Sequence, residues 1–283
     1  MGSEDNAVQV DRPRFALVLG AGGVRGIAHL GVLRRLVSEG LRPDALVGCS
    51  AGALIAAFYA GAGIDAPELV DYGTAVTARH LLAYGLLLRR LRAVPSRIRE
   101  RCDWFTERLA VLDGCDVDRL AFGVKRLGLL TFDTVSRREL FIATGSNHSR
   151  VTLGDAARGS AAVPLLFPSR RIDREGARLR LIDGGVSRTL PVTHAFDPPI
   201  EAQHVLAVKV TGAAGILERS SRHFRSLEER YADRLALLEI ALPPIRTLFN
   251  SERDNLALVE AGDRALTPAL LARIRTWLEV GPS

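Results

Sequence analysis

The stretch Val47-Gly48-Cys49-Ser50-Ala51-Gly52 constrains this chain more than any other. A short apolar run, Ala45-Leu46-Val47, precedes the serine, and a long run of small residues, Ala51 to Ala62, follows it. The first reads as a buried strand and the second as a buried helix. Between them one serine has a glycine at the second position on each side. That G-x-S-x-G pattern predicts a nucleophile elbow, a strand-to-helix turn so sharp that only glycine leaves room for the backbone around the serine. A serine hydroxyl presented this way needs an adjacent base to take its proton. It also needs amide donors aimed at the oxyanion that forms when it attacks a carbonyl.

A source of donors lies upstream. Phe15-Ala16-Leu17-Val18-Leu19 is a continuous apolar run, the mark of a parallel strand buried on both faces. It ends in Gly20-Ala21-Gly22-Gly23-Val24-Arg25-Gly26, and Ile27, Leu30, Leu33, Leu36 and Val37 then recur at helical spacing up to Gly40. The first sixty residues therefore read strand, glycine-rich loop, helix, strand, elbow, helix. Two parallel strands joined by a crossover helix bring both loops to the carboxyl edge of the sheet. Successive glycines let backbone N–H groups face an anion there. The same order of elements serves dinucleotide binding, but the G-x-G-x-x-G spacing fails at Arg25, and the second strand ends in Gly48 and Ser50 without the acidic residue that motif needs.

Two schemes supply the base. Asp183 closes the apolar run Leu181-Ile182, and that setting raises a carboxyl pKa, as a base requires. Asp113-Gly114 is a second Asp-Gly pair, but it follows a helical stretch rather than a strand. The competing scheme is a Ser-His-Asp triad, for which Ser50, Asp183 and then His194 or His204 stand in hydrolase order. His29, His80, His148 and His223 read as structural or surface residues. Spacing leaves the choice between dyad and triad open.

Along the rest of the chain, Pro67 to about Arg108 reads as helices. Within it, Arg79 to Arg101 interleaves leucines with arginines. That segment reads as a surface helix with a solvated arginine face, or as one that lies on a membrane or covers an apolar site. Asp116–Leu130 reads as a helix, Glu139–Thr144 as a strand and Leu153–Ser160 as a short helix. Ser169–Asp173 and Ala177–Ile182 read as a hairpin turning at Arg174-Glu175-Gly176. Val205–Val210 reads as the last strand, and from about Gly215 the pattern is helical and charged, broken at Pro243-Pro244. The expected organisation is a flexible tail over residues 1–13, a catalytic core over 14–212 and a helical extension over 213–283 packed on the same domain.

Composition narrows the partners. The 283 residues are 47% hydrophobic and 25% charged, which is globular. Three cysteines, Cys49, Cys102 and Cys115, form neither a C-x-x-C pair nor an even framework, so neither a disulfide scaffold nor a cysteine metal site is expected. Cys49 reads as a small buried residue. The net charge of +6 is carried almost wholly by arginine, Lys125 and Lys209 being the only lysines. No helix-turn-helix, zinc finger or RNA-binding signature accompanies it, so no nucleic acid partner is expected. No apolar run nears the roughly 18 residues of a membrane span, and no signal peptide opens the chain. The expected location is cytoplasmic, with peripheral contact at the inner face of a membrane.

The glycine loop Gly20 to Gly26, the elbow Gly48 to Gly52 and Asp183-Gly184-Gly185 together resemble the patatin-like phospholipases, in their small bacterial form. Ala157 to Pro168 is similar to that family's block before the aspartate, and Asp183 to Val192 is similar to the stretch after it. The resemblance runs from about Arg14 to Val210. Ala21 stands where a glycine is often found, and Thr189 where many members have asparagine. The resemblance implies an α/β class, three-layer α/β/α fold with a mostly parallel central sheet, and a Ser-Asp dyad without histidine. Ser50 is then the nucleophile, Asp183 the base, the amides of Gly22 and Gly23 the oxyanion hole, and Arg25 the basic residue of the loop. It implies an acyl-ester hydrolase acting on lipids, with no cofactor and no metal. An acyltransferase using the same serine is the enzyme alternative, and a catalytically silent lipid-binding scaffold is the alternative of another class.

Overall fold

The structure is a computed structural model, and it describes residues 12–88, 96–146, 151–174, 176–210, 225–242 and 250–279. Its centre is an eight-stranded sheet. Phe15–Leu19 (β1) and Ala45–Cys49 (β2) are buried at every position, as a strand covered on both faces must be. β2 lies parallel to β1, and Ala28–Ser38 (α1) crosses between them. Arg126–Asp133 (β3) runs parallel to β2 on its other side, and Arg138–Ala143 (β4) folds back antiparallel on β3. Arg170–Arg174 (β5) and Ala177–Asp183 (β6) form the expected hairpin, and β6 pairs antiparallel with β3. His204–Val210 (β7) lies parallel to β1, and Leu235–Ile240 (β8) lies parallel to β7. Four of these pairings are parallel and three antiparallel, the parallel ones running from β3 through β2, β1 and β7 to the edge strand β8.

Alternation along β1 divides the core. Phe15, Leu17 and Leu19 face one side with α1, Ala51–Ala56 (α2), Ala66–Ala75 (α3) and Leu153–Ser160 (α6). Ala16 and Val18 face the other with Val192–Phe196 (α7) and with Leu227 of the helical residues 225–231 (α8). Glu252–Ala265 (α9) and Pro268–Glu279 (α10) join the first face, where α9 packs along α1 and Trp277 of α10 reaches Phe15 at a ring separation of 6.1 Å. Helices thus cover both faces, giving three layers, one thick and one thin. Ala78–Leu88 (α4) and Ser96–Ala110 (α5) pack on each other beside the thick layer. Among the described residues, no helix is long and apolar enough to cross a membrane.

One detail of register positions the site. Along one edge of β3, Leu130 pairs with Cys49 of β2, and the next residue, Thr131, pairs with Asp183 of β6. The other edge of β3 is occupied by β4 through the same residues. β2 and β6 therefore approach head to head along a single edge. The residue after β2, Ser50, meets the last residue of β6.

Two expectations are corrected. The helix read over Asp116–Leu130 is instead a turn leading into β3. Leu127, Leu129 and Leu130 favour a helix by composition, but Gly128 accepts the Phe141 ring of β4 where a side chain would stand, and pairing on both edges decides the conformation. The chain after Gly215 is not helical throughout: Leu235–Ile240 is a strand, so Val205–Val210 is not the last. Leu235, Ala236, Leu238 and Ile240 are buried against the sheet, and β7 supplies the ladder that a Leu-rich segment would not seek alone. The run Ala51 to Ala62 is helical but loosens into a π turn over Ala57–Gly61. Residues 1–11 of the tail, the centre of the basic segment at residues 89–95, and Pro243-Pro244 lie outside the described residues, as do His148 and His223.

Candidate active site

Ser50 sits at the carboxyl edge of the sheet with φ 56° and ψ −122°, a conformation that side-chain-bearing residues rarely adopt. Its neighbours permit it. A Cβ on Gly48 would stand 2.6 Å from the backbone nitrogen of Ala53, and one on Gly52 would press on the carbonyl of Leu19. Neither position accepts a side chain, so the two flanking glycines are structural requirements of this turn. The elbow is also braced from outside it. The Ser50 backbone N–H donates to Ser160 Oγ at 2.9 Å, and that hydroxyl donates to the Leu130 carbonyl at 2.6 Å. Ser160 is fully buried at the end of α6. Sequence reasoning assigned it no role; its only signal was a serine amid the small residues before the Val163-Pro164 loop.

Ser50 Oγ donates to Asp183 Oδ2 at 2.6 Å, and both side chains are almost wholly buried. Asp183 Oδ1 accepts the Gly185 N–H at 2.7 Å, and the Asp183 N–H donates to the Ala162 carbonyl at 3.0 Å. Burial pushes the Asp183 carboxyl above its ordinary value of 3.8, opposed by the hydrogen bonds from Ser50 and Gly185. Gly184 and Gly185 form a short 3₁₀ turn capped by the same carboxylate.

The glycine loop lies against the elbow. Gly20 closes β1, donating to the Val208 carbonyl at 3.1 Å, and its own carbonyl bonds His29 Nε2 at 2.9 Å. Ala21 donates to the Thr189 carbonyl at 2.7 Å, so it is the backbone of residue 189 that holds the loop, whatever its side chain. Gly23–Ile27 is a 3₁₀ turn containing Arg25 and Gly26, and Gly23 has φ 53°. The N–H groups of Gly22 and Gly23 donate to no protein acceptor among the described residues. Gly23 and Ser50 line the same cavity, and Arg25, half-buried, lies outside that lining.

That cavity measures about 170 Å³ and is almost entirely apolar, with Leu54, Ile55, Phe58, Leu69, Phe105 and Phe167 in its wall. Arg108, the one charged residue in its lining among the described residues, lies over the rings of Tyr72 and Trp104 at 4.7 and 3.9 Å. Leu81 of α4, in the basic segment, lines it too, while the neighbouring Leu82 is exposed.

The histidines lie elsewhere. His194 Nε2 is 3.6 Å from Glu139 Oε2, and its ring lies against Phe141. Burial lowers its pKa despite Glu139. His204 opens β7 opposite Phe15, at the amino edge of the sheet, and stacks on Trp277. A five-residue strand separates it from the elbow edge by roughly 13 Å. Neither touches Ser50 or Asp183. Asp113 pairs with Arg158. The Cys49 thiol is buried and its pKa is raised, first by burial and then by the charge of Asp183.

A parallel sheet that presents a strained serine at a strand-to-helix turn, bonded to a buried carboxylate, defines an α/β protein of the nucleophile-elbow class. Over residues 17–196 the chain matches the model of the patatin-like phospholipases, and it belongs to that family. An uncharacterized NTE family protein of Mycobacterium tuberculosis (strain H37Rv) is 25% identical over 209 residues, covering 71% of this chain and 50% of its own length. Another, from strain CDC 1551 of that species, is 30% identical over 184 residues, covering 62% of this chain and 27% of its own length. The chain thus spans half or less of those relatives. Its fold is similar to the crystal structure of VipD from Legionella pneumophila, at TM-score 0.53 and 14% identity over 93% of this chain and 66% of that one. It is similar also to human GIVD cytosolic phospholipase A2, at TM-score 0.54 and 11% identity over 94% of this chain and 60% of that one. These are likenesses of fold.

Proposed function

We propose that this protein is a lipid acyl-ester hydrolase of the phospholipase A, lysophospholipase or esterase type, with Ser50 as nucleophile and Asp183 as base. The observation that carries this reading is the 2.6 Å hydrogen bond from Ser50 Oγ to Asp183 Oδ2, with Ser50 in the wall of an apolar cavity. A carboxylate whose pKa is raised takes a serine proton more readily than an ordinary one. The cavity is of the size that holds a benzene-like apolar molecule, and it suits the carbonyl-proximal part of an acyl chain.

In the mechanism, Ser50 Oγ attacks the ester carbonyl as its proton passes to Asp183. Negative charge gathers on the carbonyl oxygen, and the uncommitted N–H groups of Gly22 and Gly23 are the donors for it. The tetrahedral species collapses to an acyl-serine, and the leaving alkoxide takes the proton from Asp183. Water then gives its proton to Asp183 and attacks the acyl-serine, and Ser50 recovers its proton as the acid leaves. Contact with a lipid surface belongs to the same reading: Leu165 and Leu166 are 89% and 51% exposed, next to Phe167 of the cavity wall.

The test is labelling by a fluorophosphonate probe, with a hydrolysis panel of nitrophenyl esters, lysophospholipids, diacyl phospholipids and triglycerides. The expected result is covalent label on Ser50 and turnover of at least one substrate. In Ser50→Ala both are expected to disappear, with turnover down by at least about 10³-fold. Undiminished turnover by folded Ser50→Ala protein overturns the assignment.

A further inference from the structure

A second cleft, of about 710 Å³, adjoins the apolar cavity and shares Leu54, Leu81, Phe105, Ala161 and Phe167 with its wall. It is far more polar than its neighbour. Arg158, Arg170, Arg171 and Arg180 line it, and among the described residues no aspartate or glutamate does. Two of the four are neutralised from behind. Arg158 pairs with Asp113 and donates to the Leu109 carbonyl at 3.0 Å, while Arg170 pairs with the buried Asp155 at 2.6 Å. Among the described residues, nothing compensates the charge of the other two. Arg180 Nε donates to the neutral Ser169 Oγ at 2.9 Å, and no carboxylate among the described residues lies within ion-pair distance of Arg180 or Arg171.

The cleft reaches the site directly. Ala162 lies in its wall and accepts the Asp183 N–H, and Ala161 belongs to both spaces. Arg180 stands three residues before Asp183 on β6, about 10 Å along the strand. An ester with its carbonyl at Ser50 and its acyl chain in the apolar cavity has this cleft beside it for the half that leaves.

Resting on the hydrolase reading, we propose that Arg171 and Arg180 are specificity residues that select acyl esters whose head group carries net negative charge, a phosphate above all. A guanidinium offers a planar fork of donors that fits phosphate oxygens bidentately. An uncharged head group leaves both arginines without an anionic partner among the described residues. A zwitterionic one brings an ammonium beside Arg171 and Arg180, and that repulsion discriminates against it.

The experiment compares kcat/KM on lysophosphatidate, lysophosphatidylcholine and monoacylglycerol of one acyl chain, in the parent and in Arg171→Gln/Arg180→Gln. The parent is expected to prefer lysophosphatidate, and the double variant to lower the ratio of lysophosphatidate to monoacylglycerol by about tenfold or more. Arg171→Lys/Arg180→Lys, which keeps the charge and loses the fork, is expected to fall between. Inorganic phosphate should compete with lysophosphatidate in the parent; competition without any preference for lysophosphatidate reveals a site for free phosphate only and overturns the lipid head-group assignment. A ratio unchanged in the double variant, or a parent that prefers lysophosphatidylcholine, also overturns it. Binding of lysophosphatidate to Ser50→Ala protein separates the two readings. Tight binding that the double variant weakens about tenfold, in a parent that hydrolyses none of the three, supports the cleft and sinks the hydrolase reading alone.

Discussion

The two halves of the candidate site are held by opposite means. Ser50 is placed by its immediate neighbours: a strand, a strained turn and a helix within a dozen residues, with glycines where side chains cannot stand. Asp183 is placed from afar, by the register of β6 on β3 and by a carbonyl of the α6 loop. The serine half stores strain; the aspartate half stores a buried charge. Both are costs to the fold, and they should respond differently when removed.

The largest difference is expected at the aspartate. Asp183→Asn should cut ester hydrolysis by about 10³-fold or more, while raising the melting temperature by a few degrees because the buried carboxylate is gone. Calorimetry beside the hydrolysis assay reads both. A variant that loses activity and stability together breaks the contrast, since Asp183 would then be a structural anchor like the elbow. The elbow glycines should show that joint loss. Gly48→Ala presses a methyl on the Ala53 backbone and should cost about 3 kcal/mol, seen as a lower urea midpoint together with lost turnover.

Ser160→Ala tests the brace between the halves. It leaves the Ser50 N–H without its acceptor and should cost about 1–3 kcal/mol. The sharper sign is a fall in kcat greater than any rise in KM, because the loss bears on the aim of the nucleophile rather than on the cavity. The smallest effect is the response to pH. Hydrolysis should rise with pH as Asp183 ionises, with a midpoint above the ordinary carboxylate value of 3.8. Stability runs the other way. The folded pKa is raised, so the unfolded chain loses this proton first. The group's contribution is therefore full below pH 3.8 and lost as pH climbs through the folded value. Urea midpoints of the parent minus those of Asp183→Asn, taken across pH 3 to 8, should fall with rising pH.

The same contrast explains what could be read in advance. β1, the glycine loop, α1, β2 and the elbow are local objects, and apolar runs bounded by glycine announce them. The β5–β6 hairpin and α6 were legible too, the one through its turn at Arg174-Glu175-Gly176 and the other as a short run ending before the Val163-Pro164 loop. β3 and β8 were not, because Leu-rich segments take their conformation from the strands beside them. The meeting of Ser50 with Asp183 was expected from family resemblance; spacing alone left His194 and His204 in contention. What places those histidines elsewhere is sheet geometry: one sits against Phe141 and Glu139, the other at the wrong edge. Ser160 and the arginine cleft were invisible, since their partners lie on different elements and no periodicity links them.

The head-to-head seam between β2 and β6 also has a consequence in time. The two residues that meet there are 133 positions apart, and the proposed nucleophile is made first. At about 5–20 residues per second, synthesis runs for roughly ten seconds with the serine already out and its carboxylate still unmade. Nor can the hydroxyl find that partner until β3 has docked on β2 and the hairpin has returned along the same edge. A nascent or truncated chain that ends before the hairpin carries the elbow and nothing to arm it. On the proposed mechanism the seam works as a safety catch, released once the hairpin has closed on β3.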